Sequence, residues 1–105
     1  MVQKIIWTVQ AKKDLTDIKD YIALDSLYYA KRMIYLIYQS FKKLRSQPEV
    51  CMFISEEEGF KLRRILIKRY RAIYTAHNGN IYIIAVYHQS RLLPVKFDIL
   101  NNLFE

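Results

Sequence analysis

The chain has 105 residues, of which 52% are hydrophobic and 26% charged, and it contains only two glycines, two prolines and one cysteine. Its net charge is +7, and the entire excess lies in Gly59–Phe97, which has eight basic residues and no acidic one. These features predict one ordered domain over residues 1–105 in the cytoplasm, and they exclude a linker, an internal disulfide and a membrane span.

The N-terminal half of the sequence predicts a strand followed by two helices. Gln3–Thr8 is a short apolar and β-branched run, which is typical of a strand. Apolar residues then recur at steps of four and three, which indicates an amphipathic helix. Asp25-Ser26 interrupts this pattern and can cap a second helix, which should end before Pro48. The apolar positions are Ala11, Leu15, Ile18 and Ile22 in the first helix and Ala30, Ile34, Ile37, Phe41 and Leu44 in the second.

The second predicted helix carries more apolar surface than one buried face requires. Tyr28, Tyr35 and Tyr38 lie beyond its core stripe. Either the rest of the fold wraps around this helix, or the tyrosines contact another chain, since aromatic residues are favoured at interfaces. The following stretch, Gln47–Phe60, contains an acidic run and is interpreted as a solvated loop.

Asn78-Gly79 predicts a β-hairpin with a two-residue type I′ turn, because this pair accommodates the positive φ angles that the turn needs. If His77 faces Asn80, a regular ladder places Arg69, Arg71 and His88 together on one exposed face. The other face is then apolar and should pack against the helices. Its expected cross-strand pairs are Ala76 with Ile81, Tyr74 with Ile83, Ala72 with Ala85 and Tyr70 with Tyr87.

A further strand, Leu62–Ile67, precedes this hairpin and adds Arg63 or Arg64 to the exposed basic face, depending on its register. Arg91 follows where the last strand of the hairpin ends. Residues 95–105 are compatible with either a short helix or an extended arm. The predicted fold is therefore α+β, with an N-terminal strand and an α-helical hairpin packed on one face of a small antiparallel sheet.

The predicted basic face has the chemistry to bind oxyanions, because a guanidinium group donates paired hydrogen bonds to phosphate or carboxylate. For RNA cleavage, Arg71 and Arg91 could supply cations and His88 a general base, but no general acid is evident. The alternative is a solvated face without a function. The sequence has no paired Cys or His spacing and no glycine-rich phosphate loop, so we expect no metal and no cofactor.

The order and spacing of these segments resemble the RelE/ParE superfamily of toxins from bacterial type II toxin–antitoxin systems. The His-x-x-Arg spacing of His88 and Arg91 and the N-terminal helical hairpin are most similar to the ParE branch. The segments that carry the resemblance are Ile5-Ile6-Trp7-Thr8, Ala11, Asp14-Leu15, Ile18, Tyr21-Ile22-Ala23, Asp25-Ser26, Ala30, Leu44 before Pro48, Leu62-Arg63, Arg69-Tyr70-Arg71-Ala72-Ile73-Tyr74 and Val86-Tyr87-His88-Gln89-Ser90-Arg91.

For the RelE branch, the resemblance implies cleavage of ribosome-bound mRNA by residues that match Arg64, Arg71 and Arg91, together with a tyrosine near the C-terminus. This chain has Phe97 at that position, and phenylalanine has no hydroxyl for proton transfer. A nuclease is therefore expected only if His88 or Tyr87 substitutes for the tyrosine.

For the ParE branch, the resemblance implies a toxin that is not a nuclease, inhibits DNA gyrase, arrests growth and stabilises plasmids. It also implies neutralisation by a cognate acidic antitoxin, in a heterotetramer or a higher assembly. The alternatives are the ribosome-dependent mRNA endonuclease and an inactive, basic nucleic-acid-binding homologue. The expected binding residues are Arg63, Arg69, Arg71, His88 and Arg91, and the expected antitoxin contacts are Tyr28, Tyr35 and Tyr38.

Overall fold

The computed structural model describes residues 4–44, 52–57 and 59–90, so Arg91, Phe97 and residues 95–105 lie outside the described part of the chain. In chain order the elements are β1 (Ile5–Trp7), α1 (Val9–Ala23), α2 (Leu27–Leu44), β2 (Met52–Glu57), β3 (Phe60–Ile67), β4 (Tyr70–His77) and β5 (Asn80–His88). The strands form one sheet in the order β1-β5-β4-β3-β2, in which β1 is parallel to β5 and the other pairs are antiparallel. Both helices pack on this sheet, which confirms the predicted α+β fold.

The buried residues of the two helices recur at the predicted spacing. Thr8 is the N-cap of α1, because its hydroxyl oxygen accepts a hydrogen bond from the Ala11 N–H at 3.2 Å. Ser26 stabilises the start of α2 in the same way, by accepting from the Tyr29 N–H at 3.2 Å. The buried side chains are Ala11, Leu15 and Ile18 in α1 and Ala30, Ile37, Phe41 and Leu44 in α2.

The prediction of a loop over Gln47–Phe60 is wrong, because this stretch contains β2. This strand pairs with β3 and lies at the edge of the described sheet. An edge strand has one side without a neighbour and tolerates charged side chains, such as that of the exposed Glu56. Gly59 turns the chain into β3 with a φ of +85°, which glycine adopts without strain.

The predicted hairpin between β4 and β5 is confirmed at its turn. Asn78 has a φ of 51° and Gly79 a φ of 79°, as a type I′ turn requires. The pairing next to the turn is also as predicted, from His77 opposite Asn80 to Tyr74 opposite Ile83.

Beyond Tyr74 the predicted register is wrong by one residue. Ile73 lies opposite Ala85 rather than Ile84. The ladder is irregular between this pair and the preceding pair of Tyr74 with Ile83. Ile84 is therefore an extra residue in β5, which makes a β-bulge. From Ile73 back to Tyr70, each residue of β4 pairs with a residue of β5 that is one position later in the sequence than a regular ladder would give.

The sheet has two faces, and each has its own apolar cluster. We call the side that packs on α1 and α2 the helix face, and the opposite side the far face. The cluster on the helix face includes Tyr70, Ala72, Tyr74, Ile81, Ile83 and Val86 from β4 and β5. The cluster on the far face consists of Leu62, Ile73, Ile84, Ala85 and Tyr87, all of them buried.

The bulge exchanges the faces of the residues at the end of β5. Tyr70 pairs with His88, and Arg71 pairs with Tyr87. The prediction that Tyr70 and Tyr87 share a face is therefore wrong, since Tyr70 belongs to the helix-face cluster and Tyr87 to the far-face cluster. The prediction that the helices cover Tyr74 and Ile83 is confirmed.

Side chains of α1 hold the bulged part of β5 where β1 has ended. The Thr8 hydroxyl lies 2.8 Å from the carbonyl oxygen of Ile83 and 3.3 Å from that of Ile84, and it donates to this pair. Further along, a carboxylate oxygen of Asp14 accepts a hydrogen bond from the Val86 N–H at 3.0 Å. These contacts satisfy backbone groups that a longer β1 would otherwise have paired.

We expect Thr8→Ala to lower the free energy of unfolding by about 2 kcal/mol, because it removes a helix cap and the hydroxyl that donates to the carbonyls of β5. Urea denaturation measures the loss. Thr16→Ala is the matched control, since Thr16 is exposed and its hydroxyl bonds only to the Lys12 carbonyl of its own helix. A loss for Thr16→Ala as large as that for Thr8→Ala would contradict the linking role of Thr8.

Candidate binding surfaces

The residues of the predicted basic face are divided between the two faces of the sheet. Arg71 lies on the far face, whereas His88 lies on the helix face beside Tyr70. Arg69 is in the turn between β3 and β4, and its carbonyl oxygen accepts from the Gln89 N–H at 2.8 Å. The expectation that Arg69, Arg71 and His88 share one face is therefore wrong, because the bulge moves His88 to the helix face and Arg69 belongs to a turn rather than a strand.

The register of β3 decides between the two neighbouring arginines. Arg64 pairs with Ile73 and so shares the far face with Arg71. Arg63 points to the other side, where its guanidinium carbon lies 5.8 Å from the centroid of the Phe53 ring. This distance is within the range of a cation–π interaction.

Arg71 is the most unusual cation of the described chain. It is half-buried between Leu66 of β3 and Tyr87 of β5, and its Nε atom is buried without a hydrogen-bond partner among the described residues. The buried hydroxyl of Thr75 on the same strand also lacks a partner there. An unsatisfied buried donor costs about 1–3 kcal/mol, so this guanidinium is poised to accept an oxyanion from outside the described chain.

His88 is held in one orientation by its neighbours. Its ring lies 5.4 Å from the Tyr70 ring in an edge-to-face contact. Its Nδ1 atom accepts the Ser90 backbone N–H at 3.1 Å and lies 2.8 Å from the Ser90 hydroxyl. Because Nδ1 is an acceptor, the neutral ring carries its proton on Nε2. The free nitrogen of neutral His88 is therefore a donor and not a base.

Tyr70 and His88 form the shared wall of two adjoining cavities on the helix face. One cavity, of about 620 Å³, is lined on its outer side by Asp14 and Asp17 of α1. The other, of about 420 Å³, lies between α2 and the β3–β4 turn. The sequence analysis missed this second cavity. The sequence contains a pattern that indicates this surface, because Tyr29, Arg32, Met33 and Leu36 recur at helical spacing along one side of α2.

None of the three tyrosines expected to contact an antitoxin belongs to the described lining of this cavity, although the Tyr28 ring lies 5.4 Å from that of Tyr29, which does. Tyr28 is 67% and Tyr35 59% exposed. Tyr38 is 46% exposed, and its ring lies 4.8 Å from the Trp7 ring. One tyrosine thus contributes to packing at the edge of the sheet, and two remain available to a partner.

The described ranges contain neither a candidate metal site nor a membrane-spanning helix. Residues 4–44, 52–57 and 59–90 hold no group of three His, Cys, Asp or Glu side chains that could bind a metal ion. Neither described helix is long and apolar enough to cross a membrane.

The arrangement of these elements places the chain in a class of small α+β proteins with known structures. A structure of the chromosomal ParDE toxin–antitoxin system from P. aeruginosa matches with a TM-score of 0.69 and 23% identity, over 84% of this chain and 96% of the other. A structure of the archaeal RelE-RelB complex from Pyrococcus horikoshii OT3 matches with a TM-score of 0.52 and 15% identity, over 88% of this chain and 100% of the other. At these identities the likeness concerns the fold alone.

The sequence itself defines the family. A family model of the ParE toxin of the type II toxin–antitoxin system parDE matches residues 5–93. A search of curated protein sequences finds no significant match. The chain belongs to the ParE toxin family of type II toxin–antitoxin systems.

Proposed function

We propose that this protein is a cytoplasmic toxin that binds and inhibits DNA gyrase and that an acidic antitoxin neutralises it. The observation that carries the proposal is the separation of Arg71 from His88 by the sheet. A ribonuclease needs its base and its cations around one scissile phosphate. A toxin that acts by binding has no such requirement.

The hydrogen bonds of His88 also favour binding over cleavage. Its Nδ1 atom is occupied by the Ser90 N–H, which leaves the protonated Nε2 as its free atom in the neutral ring. That atom can donate a hydrogen bond, but it cannot take a proton from a ribose hydroxyl. His88 therefore does not supply the base that the nuclease alternative needs, and Tyr87, which lies opposite Arg71 on the far face, is the remaining candidate.

The far face is the surface that we assign to the target. Arg71 has an unpartnered buried Nε within the described chain, and Leu66 beside it is 60% exposed. An arginine on an apolar floor is typical of the residues that dominate protein–protein binding. Carboxylates of a protein target would satisfy this guanidinium.

We assign the side of the molecule that carries the helices, opposite the far face, to the antitoxin. The net charge of +7 favours an acidic partner. Tyr28 and Tyr35 offer exposed aromatic surface on α2, which suits an interface. A complex of toxin and antitoxin in a heterotetramer or a higher assembly is consistent with this arrangement.

A supercoiling assay with purified gyrase and relaxed plasmid tests the proposed target. We expect the purified toxin to inhibit supercoiling and, when induced in cells, to produce gyrase-dependent DNA breaks while translation is initially intact. His88→Ala should retain this activity. The nuclease alternative instead predicts codon-positioned mRNA cuts in primer extension, reduced by about 10²–10⁴-fold in His88→Ala. Such cuts without gyrase inhibition would overturn the proposed target.

A further inference from the structure

The cavity between α2 and the β3–β4 turn is an apolar groove with a polar edge. Met33 and Leu36 of α2 form one wall, and Tyr70 forms part of the floor. Its volume is about 420 Å³, which is large enough for a bulky side chain. The lining residues of α2 extend over eight positions, from Tyr29 to Leu36, or about 10 Å of helix at a rise of 1.5 Å per residue. The groove is thus about as long as two turns of a bound helix.

Cations surround this groove. Arg32, Lys68 and Arg69 line it and are exposed, and no carboxylate side chain belongs to its described lining. Lys68 has a φ of 57°, a left-handed conformation that costs a residue other than glycine about 1 kcal/mol. A glycine would make this turn without strain, so the turn holds a cation beside the groove at the expense of stability.

The groove also has a fixed hydrogen-bond donor. His88 lines it, and the contact of its Nδ1 with the Ser90 N–H leaves Nε2–H as the donor of the neutral ring. Apolar walls with a few convergent donors and cations are suited to an apolar group that lies next to carboxylates.

We propose that this groove is the main anchor site for an amphipathic segment of the acidic antitoxin. A bulky apolar side chain of the segment enters between Met33 and Leu36, and flanking carboxylates contact Lys68 and Arg69. The proposal rests on the proposed function, because it assumes that the partner is an acidic antitoxin. It ranks the groove above the outward tyrosines as the source of binding energy, because a side chain in the groove contacts more apolar surface than one lying on the exposed tyrosines.

The anchor site and the surface assigned to the target lie on opposite faces of the sheet. Arg69 borders the groove, whereas Arg71, two positions later, lies on the far face. These two arginines are therefore a matched pair. A substitution at Arg69 should weaken antitoxin binding, and the same substitution at Arg71 should not.

Binding is measured between the purified toxin and the small acidic protein sought in a gene next to that of the toxin, by isothermal titration calorimetry at physiological ionic strength. We expect Arg69→Ala to raise the Kd about tenfold and Met33→Glu about hundredfold, since the glutamate places a negative charge in the apolar wall. Arg71→Ala should change the Kd by less than about threefold, and Tyr35→Ser should raise the Kd less than Arg69→Ala does. Circular dichroism confirms that each variant is folded, and the exposed Arg69 keeps the test valid if Met33→Glu unfolds.

The possible outcomes test the groove and the proposed function separately. Weaker binding of both groove variants, with wild-type binding by Arg71→Ala and a smaller loss for Tyr35→Ser than for Arg69→Ala, supports the groove. Wild-type binding by Arg69→Ala and by a folded Met33→Glu, or a larger loss for Tyr35→Ser than for Arg69→Ala, would overturn the groove alone. If the wild-type toxin itself does not bind the acidic protein, the proposed partner fails, and the groove loses its occupant with it.

Discussion

Replacing Tyr74 with alanine should lower the free energy of unfolding by about 3–5 kcal/mol, the range typical of removing a large aromatic side chain from a core. Tyr74 is fully buried, and its ring lies 5.8 Å from the Phe41 ring in an edge-to-face contact between β4 and α2. A domain of this size is stable by only about 5–15 kcal/mol, so the variant should unfold close to ambient temperature. Thermal denaturation followed by circular dichroism measures the effect.

Tyr21→Ala provides the control for this substitution. Tyr21 is 72% exposed on α1, so we expect its removal to change the free energy of unfolding by less than about 0.5 kcal/mol. Equal losses at the two positions would show that the contact between the sheet and α2 does not dominate the core.

Arg71→Met should have opposite effects on stability and on toxicity. The variant removes a donor that is buried without a partner in the described chain and keeps an apolar side chain of similar length. We therefore expect the free energy of unfolding to rise by about 1 kcal/mol. If the target's carboxylates pair with this guanidinium, inhibition of gyrase should weaken about thirtyfold, as for the loss of a binding hot spot.

Urea denaturation and the supercoiling assay measure the two effects of Arg71→Met separately. Lys61→Met is the control, since Lys61 is an exposed cation of the neighbouring strand β3. It should change neither quantity beyond about 0.5 kcal/mol. A destabilised Arg71→Met with full inhibition would show that Arg71 has a structural role and does not contact the target.

Much of the fold could be predicted because its signals are local. The helical spacing of Ala11, Leu15 and Ile18 and the pair Asn78-Gly79 each identify an element within a few residues. The strand β2 could not be predicted in the same way. Its acidic residues are characteristic of a loop, and only its place at the edge of the described sheet makes them compatible with a strand.

The candidate site was predicted in composition but not in arrangement. The sequence identified Arg69, Arg71 and His88, yet the sheet separates Arg71 from the other two, which line one groove. The groove on α2 was missed because Met33 and Leu36 are also compatible with an ordinary core stripe. Whether such residues line a cavity depends on how closely the β3–β4 turn approaches α2.

The sequence by itself determined the identity of the helices, the hairpin turn, and a basic segment without acids, because these depend on residue type and short spacing. Only the tertiary structure decided which face each cation occupies. Ile83-Ile84-Ala85-Val86 is a continuous apolar run, so its alternation gives no sign of an extra residue. The bulge at Ile84 occurs where the Thr8 hydroxyl and the Asp14 carboxylate, more than seventy residues away in the chain, bind the backbone of β5. A contact over that distance in sequence leaves no local pattern, and it is in this contact region that His88 changes to the helix face. Arg71 keeps the far-face position that alternation along β4 gives.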